Sequence, residues 1–526
     1  MNTQPFVDRK SWFIVVTILI VVAVTQSTNL FQFPYYQDNE GTVISNSWSL
    51  IQEGKLSPYT YAYEEPLVGS LVLGIWTQLI GGLTAFGFSL NSGRVLMFLL
   101  HLASTALVYG ITLRATKRNL PAIIATLVFA FSPLVVALQR RVLLDNIMLV
   151  WLLLALFIIL GENRTLKHYF MSAVCFGIAV QTKGAALGFL PAFVYIVTNH
   201  SSRIHRRFAT GHWVALSLFI VSLYPLYAQM KEELFPQGWF LGGDFPHVSL
   251  LERLADRGPD TGRFLNIGAG FTESFQEWVN LGNATADPII IYGGIVCAIF
   301  ALLMAVDNRP LRPIVAMVLA FIFKLAISGP IFPSDIILGL PFLAACIGIV
   351  IGAVANAVGA VAGGSPVRYA LATVVAAAML YPFGIFYSQR TAPYTANQVE
   401  GQIEAVRWIS ENLPEDAVIV TDNYAFVELR RNFQNAHHYW KVDTDPAVKY
   451  AELGDDVCNI DYVLSTPQVV ADVATYQLDL MRRAIEQSEL LITYPNNGWP
   501  VEIRRTNKAN CLASIVDSGA DGANAG

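Results

Sequence analysis

The chain has 526 residues, 54% of them hydrophobic and only 14% charged, with a formal net charge of −5. A soluble domain carries roughly 25% charged residues, so a mean hydropathy of +0.47 excludes an ordinary water-soluble protein and indicates a chain dissolved largely in lipid. The mild negative charge gives no footprint for binding nucleic acid.

Asp8-Arg9-Lys10 precedes an apolar stretch from Trp12 to about Leu30. It is long enough to cross a hydrocarbon core of about 30 Å and lacks a clear small-residue cleavage site. A retained first helix with a cytoplasmic N-terminus is expected. Further spans are expected near 93–112, 120–138, 143–161, 168–182, 184–198, 212–228, 288–306, 311–328, 335–356 and 368–388. The segment 66–86 is apolar but interrupted by Gly69, Gly74, Gly81 and Gly82. Basic loops stay in the cytoplasm. The basic connectors Arg114–Arg118, Arg203–Arg207 and Arg309–Arg312 all fall inside only if 66–86 makes no net crossing, as a re-entrant or interfacial piece. About eleven crossings follow, with the C-terminus outside.

This organisation predicts a membrane domain over 1–388 with outer loops at 32–65 and 229–287. An extracytoplasmic α/β domain follows over 389–511, and the Ala/Gly/Asp-rich end, 512–526, reads as disordered. In the α/β domain an amphipathic helix is expected from Gln402 to Asn412, with Ile403, Val406, Trp408 and Ile409 on one face. Strands are expected at 417–421, 461–465, 489–494 and 500–505, and a helix from about Val469 to Glu486. Cys175, Cys297 and Cys346 lie in apolar stretches as fillers. Cys458 and Cys511 are placed to pair if their domain faces an oxidising compartment, or else stay free thiols. No Cys/His cluster has zinc spacing, and no metal is expected.

Candidate chemistry lies on the outer side. Tyr35-Tyr36-Gln37-Asp38-Asn39-Glu40-Gly41 puts two carboxylates beside the end of the first span, where they are either a base for an acceptor proton or, as acids in an outer loop usually are, only solvated. Gln139-Arg140-Arg141 and Asp145-Asn146 place cations and an acid at a helix junction, and Arg141 and Asp145 share a face if a helix begins there. Ionisable groups at membrane depth are costly and tend to be functional; the alternative is a structural ion pair. Lys183 falls on an outer turn, where it suits a lipid phosphate or snorkels to the interface. Lys324 lies near the outer end of its span with the same two readings. His247 stands among Trp239, Phe240 and Phe245 in the second loop, an environment for an isoprenoid head or sugar or for plain packing.

At these residues the chain resembles the GT-C superfamily of membrane glycosyltransferases. Within it, the likeness is to the branch of protein O-mannosyltransferases and lipid A aminoarabinose transferases, over nearly the whole chain. The residues that carry it are Asp38-Asn39-Glu40-Gly41, Gly54-Lys55 with Pro58-Tyr59, Glu64-Glu65-Pro66, Ser132-Pro133, Arg141 to Asp145-Asn146, Thr182-Lys183, the loop from Leu234 to Leu250, and tail motifs around Trp408, Val418–Asp422, Tyr439–Asp443 and Asp461–Pro467. One departure stands out. The family's base is the Asp of an adjacent Asp-Glu pair, and alignment on Glu40-Gly41 puts Asn39 there. Asp38 shifted by one residue, or Glu40, is then the base, or the site is weakened.

The resemblance implies an inverting transfer of a sugar from a polyprenyl-phosphate donor to an acceptor hydroxyl on a glycan, lipid or protein, in the cell membrane and without a cofactor. It implies Asp38 and Glu40 as catalytic acids, Arg141, Lys183 and Arg140 as phosphate-binding cations, and Asp145, His247 and Lys55 as groups orienting donor or sugar. The rival readings are a lipid-linked sugar flippase, for which inverted repeats would speak, and a non-catalytic scaffold of the same fold, for which Asn39 speaks.

Overall fold

The computed structural model describes residues 9–59, 63, 65–161, 164–201, 205–245, 247–256, 279–280, 284–327, 333–361, 365–496 and 498–508. Its chain divides into two compact units, one made of 1–30, 63–69 and 96–395, the other of 31–62, 70–95 and 396–526. The tail is therefore grouped with two early stretches of the sequence rather than standing by itself.

The described helices of the first part of the chain are α1 (Arg9–Ser27), α2 (Asp38–Gln52), α3 (Val68–Leu79), α4 (Ser89–Thr116), α5 (Asn119–Phe131), α6 (Pro133–Arg140), α7 (Leu144–Ile159), α8 (Leu166–Thr182), α9 (Leu190–His200), α10 (Arg206–Met230), α11 (Leu250–Asp256), α12 (Gly294–Asp307), α13 (Arg312–Ile327), α14 (Leu340–Val361) and α15 (Ser365–Gln389). Six described helices are long and apolar enough to cross a membrane: α1, α4, α10, α12 with its preceding turn from Ile289, α14 and α15. The α5–α6 pair makes a seventh if counted as one span bent by 61°. Its bend has a local cause. Pro133 pushes Ser132 out of helical conformation to ψ 125°, and the Ser132 hydroxyl then caps α6 by accepting from the Val135 amide. The other four expected spans correspond to shorter apolar pieces: α7, α8, α13, and a 3₁₀ turn at 184–189 leading into α9. In the region 66–86 the helix α3 has 12 residues, about 18 Å, too short to cross a core of about 30 Å.

Within the first unit, small residues let helices approach. A Cβ on Gly348 would lie 2.4 Å from the Pro121 carbonyl oxygen, and one on Gly352 2.5 Å from the Pro121 ring. This Gly-x-x-x-Gly face seats α14 on the start of α5. Elsewhere Trp213 of α10 is buried against Phe176 and Phe193, and its indole N–H donates to Ser172 Oγ at 3.2 Å.

The second unit carries a five-stranded sheet in the order β2-β1-β3-β5-β4. The strands are β1 (Ile419–Thr421), β2 (Ala436–His438), β3 (Tyr462–Ser465), β4 (Ser488–Tyr494) and β5 (Val501–Thr506). β1 runs parallel to both β2 and β3, and the β3–β5 and β5–β4 pairs are antiparallel. The accompanying helices are α16 (Glu400–Asn412), α17 (Asn423–Arg430), α18 (Tyr439–Thr444), α19 (Pro467–Tyr476) and α20 (Asp479–Glu486). The single helix expected from 469 to 486 is two helices, because Gln477 takes a left-handed φ of 54° and ends α19. α2 belongs to this unit and packs on the start of α17. A Cβ at Gly41 would lie 2.1 Å from the backbone carbonyl of Asn423, so only glycine admits the approach. Cys458 is disulfide-bonded; Cys511 and the segment 512–526 lie outside the described residues.

Candidate active site

The chemistry-bearing residues form one group in each unit. In the second unit the group begins at the N-terminus of α2. Gln37 and Glu40 form a reciprocal capping box. Glu40 also pairs with Arg94 at 3.3 Å, and neither side chain is exposed. Arg94 donates to the Pro34 carbonyl at 2.8 Å and lies 4.5 Å from the centre of the Tyr36 ring. The Tyr36 backbone is clasped by the Gln402 amide, accepting at 2.9 Å and donating at 2.7 Å. Glu40 is thus neutralised inside a rigid frame. Asp38 is the first residue of α2 and is partly exposed, and Asn39 is exposed.

Asp38 lies within electrostatic reach of the Tyr439 hydroxyl. That hydroxyl donates to Asp472 at 2.6 Å. Burial, and then the charges of Asp38, Asp422 and Asp472, push the Tyr439 phenol well above its usual range. These groups gather at the carboxyl ends of the parallel strands, where open α/β sheets place ligands. β1 runs into Asp422, which caps α17, and β3 runs into Thr466, which caps α19. Thr466 Oγ1 donates to Asp422 Oδ2 at 2.6 Å. Burial raises the Asp422 carboxyl, against the opposing hydrogen bonds from Thr466 and the Tyr424 amide. Asn423 Nδ2 donates to Thr42 Oγ1 at 2.8 Å, one turn along α2 from Asp38. Asn423 Oδ1, His438 Nε2 and Ser465 Oγ are buried with no hydrogen-bond partner among the described residues. Lys55 lies beyond the end of α2, exposed, in a turn where its amide donates to Ser49 O at 3.4 Å.

In the first unit, α8 ends at Thr182, and Lys183 reaches the start of α7 to meet Asp145 Oδ2 at 2.8 Å. Asp145 is 2% exposed and Lys183 21%, so the lysine keeps an open side. Glu65 and Asp335 are within electrostatic reach of Lys183, and Asp335 is ion-paired to Lys324. The expectation that Arg141 and Asp145 share a helical face is corrected. α6 stops at Arg140, Arg141 is extended at φ −71°, ψ 143°, and α7 starts at Leu144. The acid turns instead to Lys183.

Arg140 is 3% exposed and donates to backbone carbonyls of Gln26, Thr28 and Pro393 at 3.2, 3.0 and 2.6 Å. Its guanidinium clamps the chain after α1. Arg141 is partly exposed, its carbonyl taken by Asn146 Nδ2 at 3.0 Å. His247 has both ring nitrogens against carbonyl oxygens, Phe245 O at 2.8 Å and Phe235 O at 3.0 Å, and so closes its loop. Among the described residues no three His, Cys, Asp or Glu side chains are gathered for a metal ion.

Sequence reasoning passed over Arg94 and Asp335. Each is an ionisable residue at the edge of an apolar segment, and the cost of leaving such a group unpaired is the signal that marks it.

The family described as dolichyl-phosphate-mannose-protein mannosyltransferase matches residues 64–225. No curated protein matches the chain by sequence. Among solved structures, the chain is similar to the apo oligosaccharyltransferase of Archaeoglobus fulgidus, with 13% identity and a TM-score of 0.55 over 90% of this chain and 71% of that one. ArnT from Cupriavidus metallidurans, solved with undecaprenyl phosphate, matches with 14% identity and a TM-score of 0.53 over 94% of this chain and 98% of its own. AglB from Archaeoglobus fulgidus, solved with an inhibitory peptide and a dolichol-phosphate, matches with 13% identity and a TM-score of 0.55 over 94% and 74%. At these identities the likeness is one of fold, and with the family match over 64–225 it agrees with the fold that the resemblance implied.

Proposed function

We propose that this chain, a multi-pass membrane protein of the GT-C superfamily, moves a sugar from a polyprenyl-phosphate donor to an acceptor hydroxyl at the extracytoplasmic face. The observation that carries the reading is the division of labour between two neighbouring acids. Glu40 is buried and neutralised by Arg94, whereas Asp38, two residues earlier, keeps an open side on a helix end that is rigidly pinned. A base needs both access and fixed geometry.

Asp38 takes the acceptor proton as the hydroxyl oxygen attacks the anomeric carbon from the side opposite the phosphate. The C–O bond to the phosphate breaks with inversion, and the polyprenyl phosphate leaves with the bonding pair. Lys183, held by Asp145, and Arg141 neutralise the charge that builds on that phosphate. Arg140 is engaged with three backbone carbonyls and serves the frame. The scheme uses no metal or cofactor. Lipid phosphates bound in the ArnT and AglB structures support a lipid-linked donor here. The basic connectors support a cytoplasmic N-terminus and an outer α/β unit.

The test uses membranes with radiolabelled polyprenyl-phosphate sugars and candidate glycan, lipid and peptide acceptors. Acceptor-dependent release of free lipid phosphate is expected, and Asp38→Asn should cut it by about 10²–10⁴. Crossing of labelled donor through proteoliposomes with the sugar bond intact would replace the transferase by a flippase.

A further inference from the structure

The mechanism leaves unused a basic cavity in the first unit. Its volume is about 310 Å³, and its lining includes Arg114, Lys117, Arg164, Arg206, Arg309 and Arg312. No carboxylate is among its described lining residues. The six cations come from the end of α4, the approach to α8, the start of α10 and the α12–α13 turn. Like charges this close repel one another, and a bound anion relieves that repulsion.

Part of the charge has a structural use. Arg114 donates to Phe157 O near the end of α7, Arg164 to His200 O at the end of α9, and Arg312 to Ala305 O and Val306 O at the end of α12. Each helix end carries about half a negative charge, so the two ends met by Arg164 and Arg312 offset roughly one of the four positive charges on Arg164, Arg206, Arg309 and Arg312. Arg206 Nε is buried with no hydrogen-bond partner among the described residues.

An apolar groove adjoins the cavity and shares Tyr195 and Arg312 with it. It has a volume of about 600 Å³ and runs between α9, α12 and α13, past Ala192, Leu302, Val315 and Phe323. From Arg312 to Phe323 the groove follows eleven residues of α13, about 16 Å at 1.5 Å per residue. That is half of a hydrocarbon core of about 30 Å, the depth of one leaflet.

We infer that cavity and groove together form a binding site for an anionic glycerophospholipid. Its phosphate head lies among the arginines and one acyl chain lies along α13 to the bilayer midplane. The groove's length fits a single-leaflet acyl chain rather than a long polyprenyl tail. Basic pockets between spans on the cytoplasmic side bind anionic lipid heads, and the charge rule assigns these connectors to that side. The site is thus assigned to the leaflet opposite the proposed transfer chemistry, and its occupant is a structural ligand rather than a substrate.

The test is thermal unfolding and native mass spectrometry of the full chain in detergent. The probes are phosphatidylglycerol, phosphatidylcholine, polyprenyl phosphate and glycerol 3-phosphate. Phosphatidylglycerol is expected to raise the melting temperature and to be retained in the gas phase, and the other three to do neither at this site. Arg206→Gln with Arg309→Gln should weaken phosphatidylglycerol retention roughly thirtyfold, and Ala192→Trp should weaken it by filling the groove. Equal stabilisation by phosphatidylcholine overturns the charge argument. Equal stabilisation by glycerol 3-phosphate makes the ligand a free phosphate, and loss of polyprenyl phosphate binding in the double arginine variant makes it the donor; either result overturns the proposal. The wild-type comparison stands even if the variants do not fold.

Discussion

Arg94 and Glu40 meet at 3.3 Å with neither side chain touching solvent. Removing one partner of a buried pair leaves an uncompensated charge and costs about 3–5 kcal/mol. Arg94→Ala is therefore expected to lower the melting temperature sharply, with Glu40→Gln close behind. The double variant Glu40→Gln/Arg94→Gln should recover part of the loss. Thermal unfolding in detergent reads all three.

Asp38→Asn is expected to separate chemistry from stability. The residue opens α2 and is partly exposed, and Asn is well tolerated near a helix start. The melting temperature should stay near wild type while transfer falls by about 10²–10⁴, the usual worth of a general base. Turnover of labelled donor, measured beside the melt, checks both. A full rate in Asp38→Asn would remove it from the mechanism.

Lys183→Ala should act on the donor. Its ammonium is 2.8 Å from Asp145, which is 2% exposed, so the substitution removes a proposed phosphate contact and leaves a buried carboxylate alone. The donor KM is expected to rise at least roughly tenfold, with Lys183→Arg intermediate. Unchanged donor KM in Lys183→Ala would argue for a purely structural pair.

Gly41→Ala tests the seating of α2. The added Cβ would lie 2.1 Å from the Asn423 carbonyl carbon and oxygen, and backbone cannot swing aside. The helix must shift, at a cost of about 1–3 kcal/mol or more. Asp38 rides on the same helix, so transfer should fall along with the melting temperature, in contrast to Asp38→Asn.

Acid should loosen the α/β unit. Burial, and then Arg430, lowers the His437 imidazole to about 4. Glu452 is only 3.5 Å away but half exposed, so water screens it. His438 is also lowered, mainly by burial. The unfolded chain, with histidines near 6.5, takes up protons first as pH falls, so stability present above about 6.5 is lost toward about 4. For His437 alone this is roughly 3 kcal/mol. The raised Asp422 works the other way, because its contribution is present at low pH and lost as pH rises through its folded pKa. Two histidines should outweigh one carboxyl. His437→Gln is expected to flatten the acid loss and Asp422→Asn to steepen it, as read by hydrogen exchange of the full chain between pH 4 and pH 7.

Much of this architecture was legible in the residues. Long apolar runs marked the six helices long and apolar enough to cross a membrane, and the tail strands at 419–421 and 462–465 stood out as apolar segments running into Asp422 and ending in Ser465. β2 was missed, being three residues of Ala436-His437-His438 with no apolar alternation. The break at Gln477 was missed because a left-handed residue there is not a glycine. Spacing suggested Arg141 for Asp145, but a helix stop at Arg140 undoes any argument from helical periodicity, and the partner comes from 38 residues later. Pairings of that kind follow from tertiary packing, which local pattern does not encode.

The amide clasp between Tyr36 and Gln402 joins residues 366 positions apart. During synthesis at about 5–20 residues per second, the early partner waits roughly 20–70 seconds before the later one is made. Throughout that interval the unit of α2 and the sheet does not exist, whatever spans have already inserted. A premature stop between α15 and α16 should thus leave an assembled bundle whose candidate base is unframed, and quality control would meet it as an unfinished protein.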